Sequence, residues 1–128
     1  MEDRQTMSLF EWNDEFSIGI AEIDSDHREL FRTAEELHEG ILNGTAEDDL
    51  EVTYSRLAEQ TRAHFEKEDA ILRKQGHPNI EQISKEHLRL TQKVEALGRR
   101  LEKRQARLDM ETLRFLRTWL DHHIRDTK

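Results

Sequence analysis

Cysteine is absent from all 128 residues. That excludes disulfides, thiolate metal sites and cysteine nucleophiles, and leaves the redox compartment open. With one proline and five glycines, the chain has little to interrupt long helices. Apolar runs are short; none approaches the roughly 20 residues of a membrane span. No basic patch carries interleaved aromatics. A formal net charge of −8 and a pI near 5.4 argue against nucleic acid or an anionic membrane as partner. Met1 to Ser8 is polar and acidic, unlike a secretory signal. The expectation is one soluble, cytoplasmic domain over residues 1–128.

What is there is charge, 38% of residues, with both signs interspersed and apolar residues recurring at helical spacing. Residues 1–23 read as an N-terminal arm. Within it Phe10, Trp12, Phe16, Ile18 and Ile20 alternate only partly, and a lone extended segment has no strand to pair with. Four helices follow, expected at about 25–42, 46–75, 79–104 and 109–127. Asp24 or Ser25 is read as the first cap and Asn43-Gly44 as the first stop. Thr45 with Asp48 reads as a variant capping box, and Asp109 as the cap of the last helix. Gly76-His77-Pro78 separates the second helix from the third. Short connections and near-heptad seams predict an all-α, up-down-up-down antiparallel four-helix bundle with an irregular N-terminal arm.

The inward stripes carry polar residues at unusual places. His64 and Glu68 are four residues apart, about 40° around a helix axis, on the stripe that includes Leu50, Tyr54, Leu57, Thr61 and Ile71. A buried carboxylate needs a proton, a cation or a metal. His27 lies early on the first stripe, His87 early on the third and His123 late on the fourth. In an antiparallel bundle these positions share one end, so four imidazoles and a carboxylate converge in one layer. Neutral imidazole with carboxylate suits iron, zinc or manganese. The alternative is a hydrogen-bonded polar layer without metal. His38 reads as a hydrogen-bonded or partly exposed core residue, and His77 and His122 as solvent-facing.

These residues resemble a known family. Trp12, then Phe16-Ser17-Ile18-Gly19-Ile20, Ile23-Asp24-x-x-His27 and Leu30-Phe31 look like the opening of bacterial hemerythrins. His64-Phe65-x-x-Glu68, the Gly76-His77-Pro78 turn, His87 and Trp119-Leu120-x-x-His123-Ile124 extend the match over most of the chain. The resemblance implies a bundle enclosing two non-haem irons with an oxo or hydroxo bridge, at which O₂ binds reversibly. It assigns His27 and His64 to the iron with the open position, Glu68 to a bridge, and His87 and His123 to the other iron. Two family ligand positions depart: Ile83 stands where a third histidine is expected, and Lys128 where a second bridging aspartate is expected. Asp126 is the nearest substitute. Trp12, Phe31, Tyr54, Phe65 and Trp119 are expected around the pocket.

The departures leave three readings open: two irons with altered coordination, one metal on the His27/His64/Glu68 side, or a degenerate site. The functions in view are O₂ storage, delivery or sensing; an enzyme handling peroxide or nitric oxide; and a metal-poor interaction module. The first is preferred, with O₂ or a similar small diatomic or anion as partner, and binding rather than catalysis as the role. No protein partner is specified.

Overall fold

The computed structural model describes residues 9–127, with side chains as far as Arg125. A 3-10 turn at Asp14–Phe16 is followed by α1 (Ala21–Leu42), α2 (Glu47–Lys74), α3 (Ile80–Glu102) and α4 (Met110–Thr127). The described residues contain no strand, and the four helices form the expected all-α bundle. Among them no helix is long and apolar enough to cross a membrane.

The core follows the helical period. Leu30, Phe31, Ala34 and Leu37 of α1 meet Leu50, Tyr54 and Leu57 of α2, Val94 and Leu101 of α3, and Leu113, Leu116 and Leu120 of α4. A smaller cluster of Ile23, Leu72 and Ile83 closes the other end. Trp119 and Ile124 of α4 are buried as well. The Tyr54 hydroxyl donates to the Val94 carbonyl at 2.8 Å, satisfying a buried phenol that burial holds well above its ordinary pKa.

Local signals were obeyed unevenly. Asp109 accepts from the Thr112 backbone N–H at 3.0 Å, as a cap should. Gly44 and Gly76 end α1 and α2 at φ 74° and 70°, where glycine carries no steric cost. The first helix, however, begins at Ala21, with Ile20 at the cap position. Asp24 lies inside its first turn because its carboxylate serves the arm, accepting from the Ser17 hydroxyl at 2.5 Å and the Ile18 N–H at 2.9 Å. The capping box also fails: α2 starts after Ala46 with no side-chain cap. Asp48 instead accepts from Arg104 at 2.6 Å, a residue at φ 61° just past α3.

The arm runs along the outside of α1 and α4. The Phe10 N–H donates to Glu35 Oε1 at 3.0 Å, and Arg117 Nε donates to the Leu9 carbonyl at 3.0 Å. Trp12 and Phe16 pack on Phe31 at ring distances of 5.8 and 5.3 Å, and the Arg28 guanidinium lies 5.0 Å from the Trp12 ring. His38 is buried with its Nδ1 3.4 Å from Glu35. His122 is exposed, whereas His77 is half-buried rather than solvent-facing, because its Nδ1 accepts from the Asn79 N–H that opens α3.

Candidate metal centre

Antiparallel packing puts the start of α1, the end of α2, the start of α3 and the end of α4 at one end of the bundle. There the structure brings together His27, His64, Glu68, His87 and His123, all buried, with Glu68 and His27 wholly inaccessible to solvent. Glu68 is the middle of the group. Its Oε2 lies 3.2 Å from His27 Nε2 and 2.9 Å from His64 Nε2. Its Oε1 lies 3.0 Å from His87 Nε2 and 3.4 Å from His123 Nε2. One carboxylate thus faces two pairs of imidazoles, one pair per oxygen. His123 also approaches the first pair, at 3.3 Å from His27 and 3.2 Å from His64.

Two further carboxylates determine what those nitrogens can do. Asp26 Oδ2 lies 3.2 Å from His64 Nδ1, and Asp69 Oδ1 lies 2.7 Å from His87 Nδ1. A carboxylate only accepts, so in its neutral form each ring carries its proton on Nδ1 and turns a bare lone pair at Nε2 toward Glu68. Lone pair then faces lone pair at 2.9 and 3.0 Å. Accordingly Glu68 Oε1 and His87 Nε2 make no hydrogen bond despite being buried and adjacent. A cation relieves this opposition. One ligand atom each from His27, His64, Glu68 and His123 lies within 4.8 Å of the others. Spacings near 3 Å are those of neighbouring ligands around an ion at about 2.1 Å. Nitrogen and oxygen donors without thiolate fit non-haem iron. The residues present fit the group.

The electrostatics agree. Burial alone would push the Glu68 carboxyl up, but its contacts with His123 and His27 outweigh that and hold the group below the usual carboxylate range. Burial lowers His27, and lowers His123 to about 4, which favours the neutral imidazole that a metal requires. Asp26 is itself held by Lys67 Nζ at 3.2 Å.

The aromatic shell is uneven. Phe65 stacks on His87 with ring centroids 4.0 Å apart and 4° between planes, and Trp119 stacks on His123 at 6.0 Å. Trp12 and Phe31 pack instead with each other and Phe16 beneath the arm. Tyr54 lies roughly three turns away along α2. Ile83 is buried among Ile23 and Leu72, and it also lines a cleft of about 530 Å³ bordered by residues of α3 and α4, including His87 and His123. Asp126 continues α4, but its side chain, like Lys128, lies outside the described residues. Sequence reasoning missed Asp26 and Asp69. The available signal was an acid directly beside a candidate ligand, Asp26 before His27 and Asp69 after Glu68, on the flank turned to the neighbouring helix.

A four-helix bundle with imidazoles and a shared carboxylate converging in its core defines a metal-binding bundle protein. Comparison with known proteins gives the family. The model of the hemerythrin HHE cation binding domain matches residues 18–128. A bacteriohemerythrin of Clostridium acetobutylicum is 31% identical over 120 residues, 91% of this chain and 93% of that protein. A bacteriohemerythrin of Methylococcus capsulatus is 25% identical, covering 92% and 90%. A myohemerythrin of Riftia pachyptila is 26% identical, covering 92% and 87%. In fold, a wild-type hemerythrin crystal structure superposes with TM-score 0.84 at 24% identity over 89% of this chain and 88% of that one. A point mutant of hemerythrin reaches 0.87 over 92% and 90%. The chain belongs to the hemerythrin family, of the bacterial type.

Proposed function

We infer that this chain is a non-haem iron, hemerythrin-like protein that binds O₂ reversibly for storage, delivery or sensing. The observation that carries the reading is the pairing around Glu68, with two imidazoles facing each carboxylate oxygen and with His64 and His87 held at Nδ1 by Asp26 and Asp69. That division supports two irons bridged by Glu68, with His27 and His64 on one and His87 and His123 on the other. An oxo or hydroxo bridge belongs to the same proposal, and Asp126 is its candidate second carboxylate.

Iron, when bound, supplies the electrons for reversible O₂ binding; the protein supplies orientation and exclusion of water. Asp26 and Asp69 keep the Nδ1 protons of His64 and His87 in place, which aims Nε2 inward. Lys67 balances the charge of Asp26. Phe65 and Trp119 cover the faces of His87 and His123 and keep solvent from them. A cytoplasmic location is part of this reading. The relatives are bacteriohemerythrins and a myohemerythrin, which favours neither a peroxide- or nitric-oxide-handling enzyme nor a metal-poor interaction module.

The test is metal analysis with an optical spectrum taken in air and after deoxygenation. Iron near two per chain, with visible absorption lost without O₂ and regained with it, is the expected result. Protein that takes up no iron on anaerobic reconstitution would overturn the reading.

A further inference from the structure

The cleft bordered by α3 and α4 is not needed to hold iron on the His27/His64 side, yet it is built like a ligand site. It has a volume of about 530 Å³ and is lined by Ile83, Leu90, Phe115 and Trp119 as apolar walls, with His87 and His123 at its buried end. One buried polar atom belonging to these residues, Trp119 Nε1, makes no hydrogen bond. Phe115 is 44% exposed, an apolar side chain at the mouth of a cleft on an otherwise heavily charged protein. Glu86 at the rim is engaged by Arg89, which reduces its repulsion of an anion.

Size and lining restrict the occupant. The volume exceeds what a diatomic needs and lies in the range of small-molecule sites. The walls take an aromatic or aliphatic body. Trp119 Nε1 offers a hydrogen to an acceptor, and an iron held by His87 and His123 attracts oxygen donors. Ile83 contributes no donor atom here, and its branched side chain is part of the wall.

Resting on the two-iron reading above, we propose that this cleft binds a small organic carboxylate. Its apolar body packs between Ile83, Leu90, Phe115 and Trp119, and its carboxylate supplies oxygen to the His87/His123 side of the centre. Ligand occupancy there is separate from O₂ binding on the His27/His64 side, and it adjusts the centre by completing the coordination of the neighbouring iron.

Benzoate is the probe, titrated by calorimetry into iron-loaded protein, with acetate as the control that has the head group and almost no body. In a Trp12→Phe background, Trp119 is the remaining tryptophan and its fluorescence locates the event. Saturable benzoate binding at least tenfold tighter than acetate, with a change in Trp119 emission, is expected. Phe115→Glu weakens it at least tenfold, as does removal of iron. Benzoate that binds no better than acetate, ignores Phe115→Glu, or binds metal-free protein equally well overturns the proposal. Iron content measured in the same samples separates two failures. Iron present without a benzoate response removes the cleft proposal alone; no iron uptake removes the proposed function and this inference with it.

Discussion

Asp69 Oδ1 lies 2.7 Å from His87 Nδ1, while the neighbouring residue, Glu68, faces the opposite nitrogen of the same ring at 3.0 Å. Two consecutive residues of α2 therefore flank one imidazole of α3, Asp69 accepting from Nδ1 and Glu68 facing Nε2. Asp26 of α1 holds His64 of α2 in the same sense at 3.2 Å. Removing either carboxylate leaves the ring free to change tautomer. Asp69→Ala and Asp26→Ala are each expected to weaken iron binding by about 10–100-fold, read by competition with a chelator. Asp69→Asn, which keeps an acceptor and loses the charge, falls between Ala and the parent.

Glu68→Gln tests the opposition of lone pairs directly. The amide keeps the shape of the carboxylate and gains a donor that can satisfy one Nε2. Iron affinity falls by at least about tenfold because an anionic oxygen donor is lost. The metal-free protein gains about 1 kcal/mol of stability from a hydrogen bond the parent cannot make, measured by urea denaturation of both proteins after chelation. A metal-free variant less stable than the parent would contradict the tautomer assignment.

Ile83→His returns a donor to the position one turn before His87. Ile83 packs with Ile23 and Leu72, so a polar ring there destabilises the metal-free fold by about 1–3 kcal/mol. Iron binding offsets this by mass action. The expected pattern is a lower melting temperature without iron and tighter iron retention, both visible in melts with and without metal.

Asp109→Ala removes the cap of α4 and costs about 1 kcal/mol at neutral pH. The Thr112 backbone N–H is the main cause that holds the Asp109 carboxyl below its ordinary value. A carboxyl depressed in the folded state stabilises above its unfolded pKa, and that contribution is lost as pH falls through the folded pKa. The difference between parent and variant should therefore be full at pH 7 and shrink as the solution is acidified below the ordinary aspartate pKa of about 3.9. Denaturation at the two pH values checks it.

How much of this was legible beforehand depended on the range of the signal. The period of 3.6 residues was enough to turn His27, His64, Glu68, His87 and His123 inward, and antiparallel order was enough to give them a common level, because both are properties of whole helices. Asp26 and Asp69 escaped because each acts on the next helix, across a seam whose rotation no single-helix pattern specifies. Asp24 and Asp48 misled for a related reason. Both have the chemistry of caps, yet Asp24 is taken by Ser17 and Ile18 and Asp48 by Arg104. Tyr54 was expected near the pocket on aromatic character alone, and its partner at Val94 lies along α3 away from the histidines.

Four rods set in a ring have four seams, but the chain spans only three of them with its loops. The seam between α1 and α4 has no covalent connector, and the arm supplies one in its place: Phe10 is tied to Glu35 on one rod and Leu9 to Arg117 on the other. The segment ahead of the first helix thus works as a detachable fourth loop. Clipping it would leave that seam to the core side chains alone, and loosen first the last rod and the imidazole of His123 that it carries.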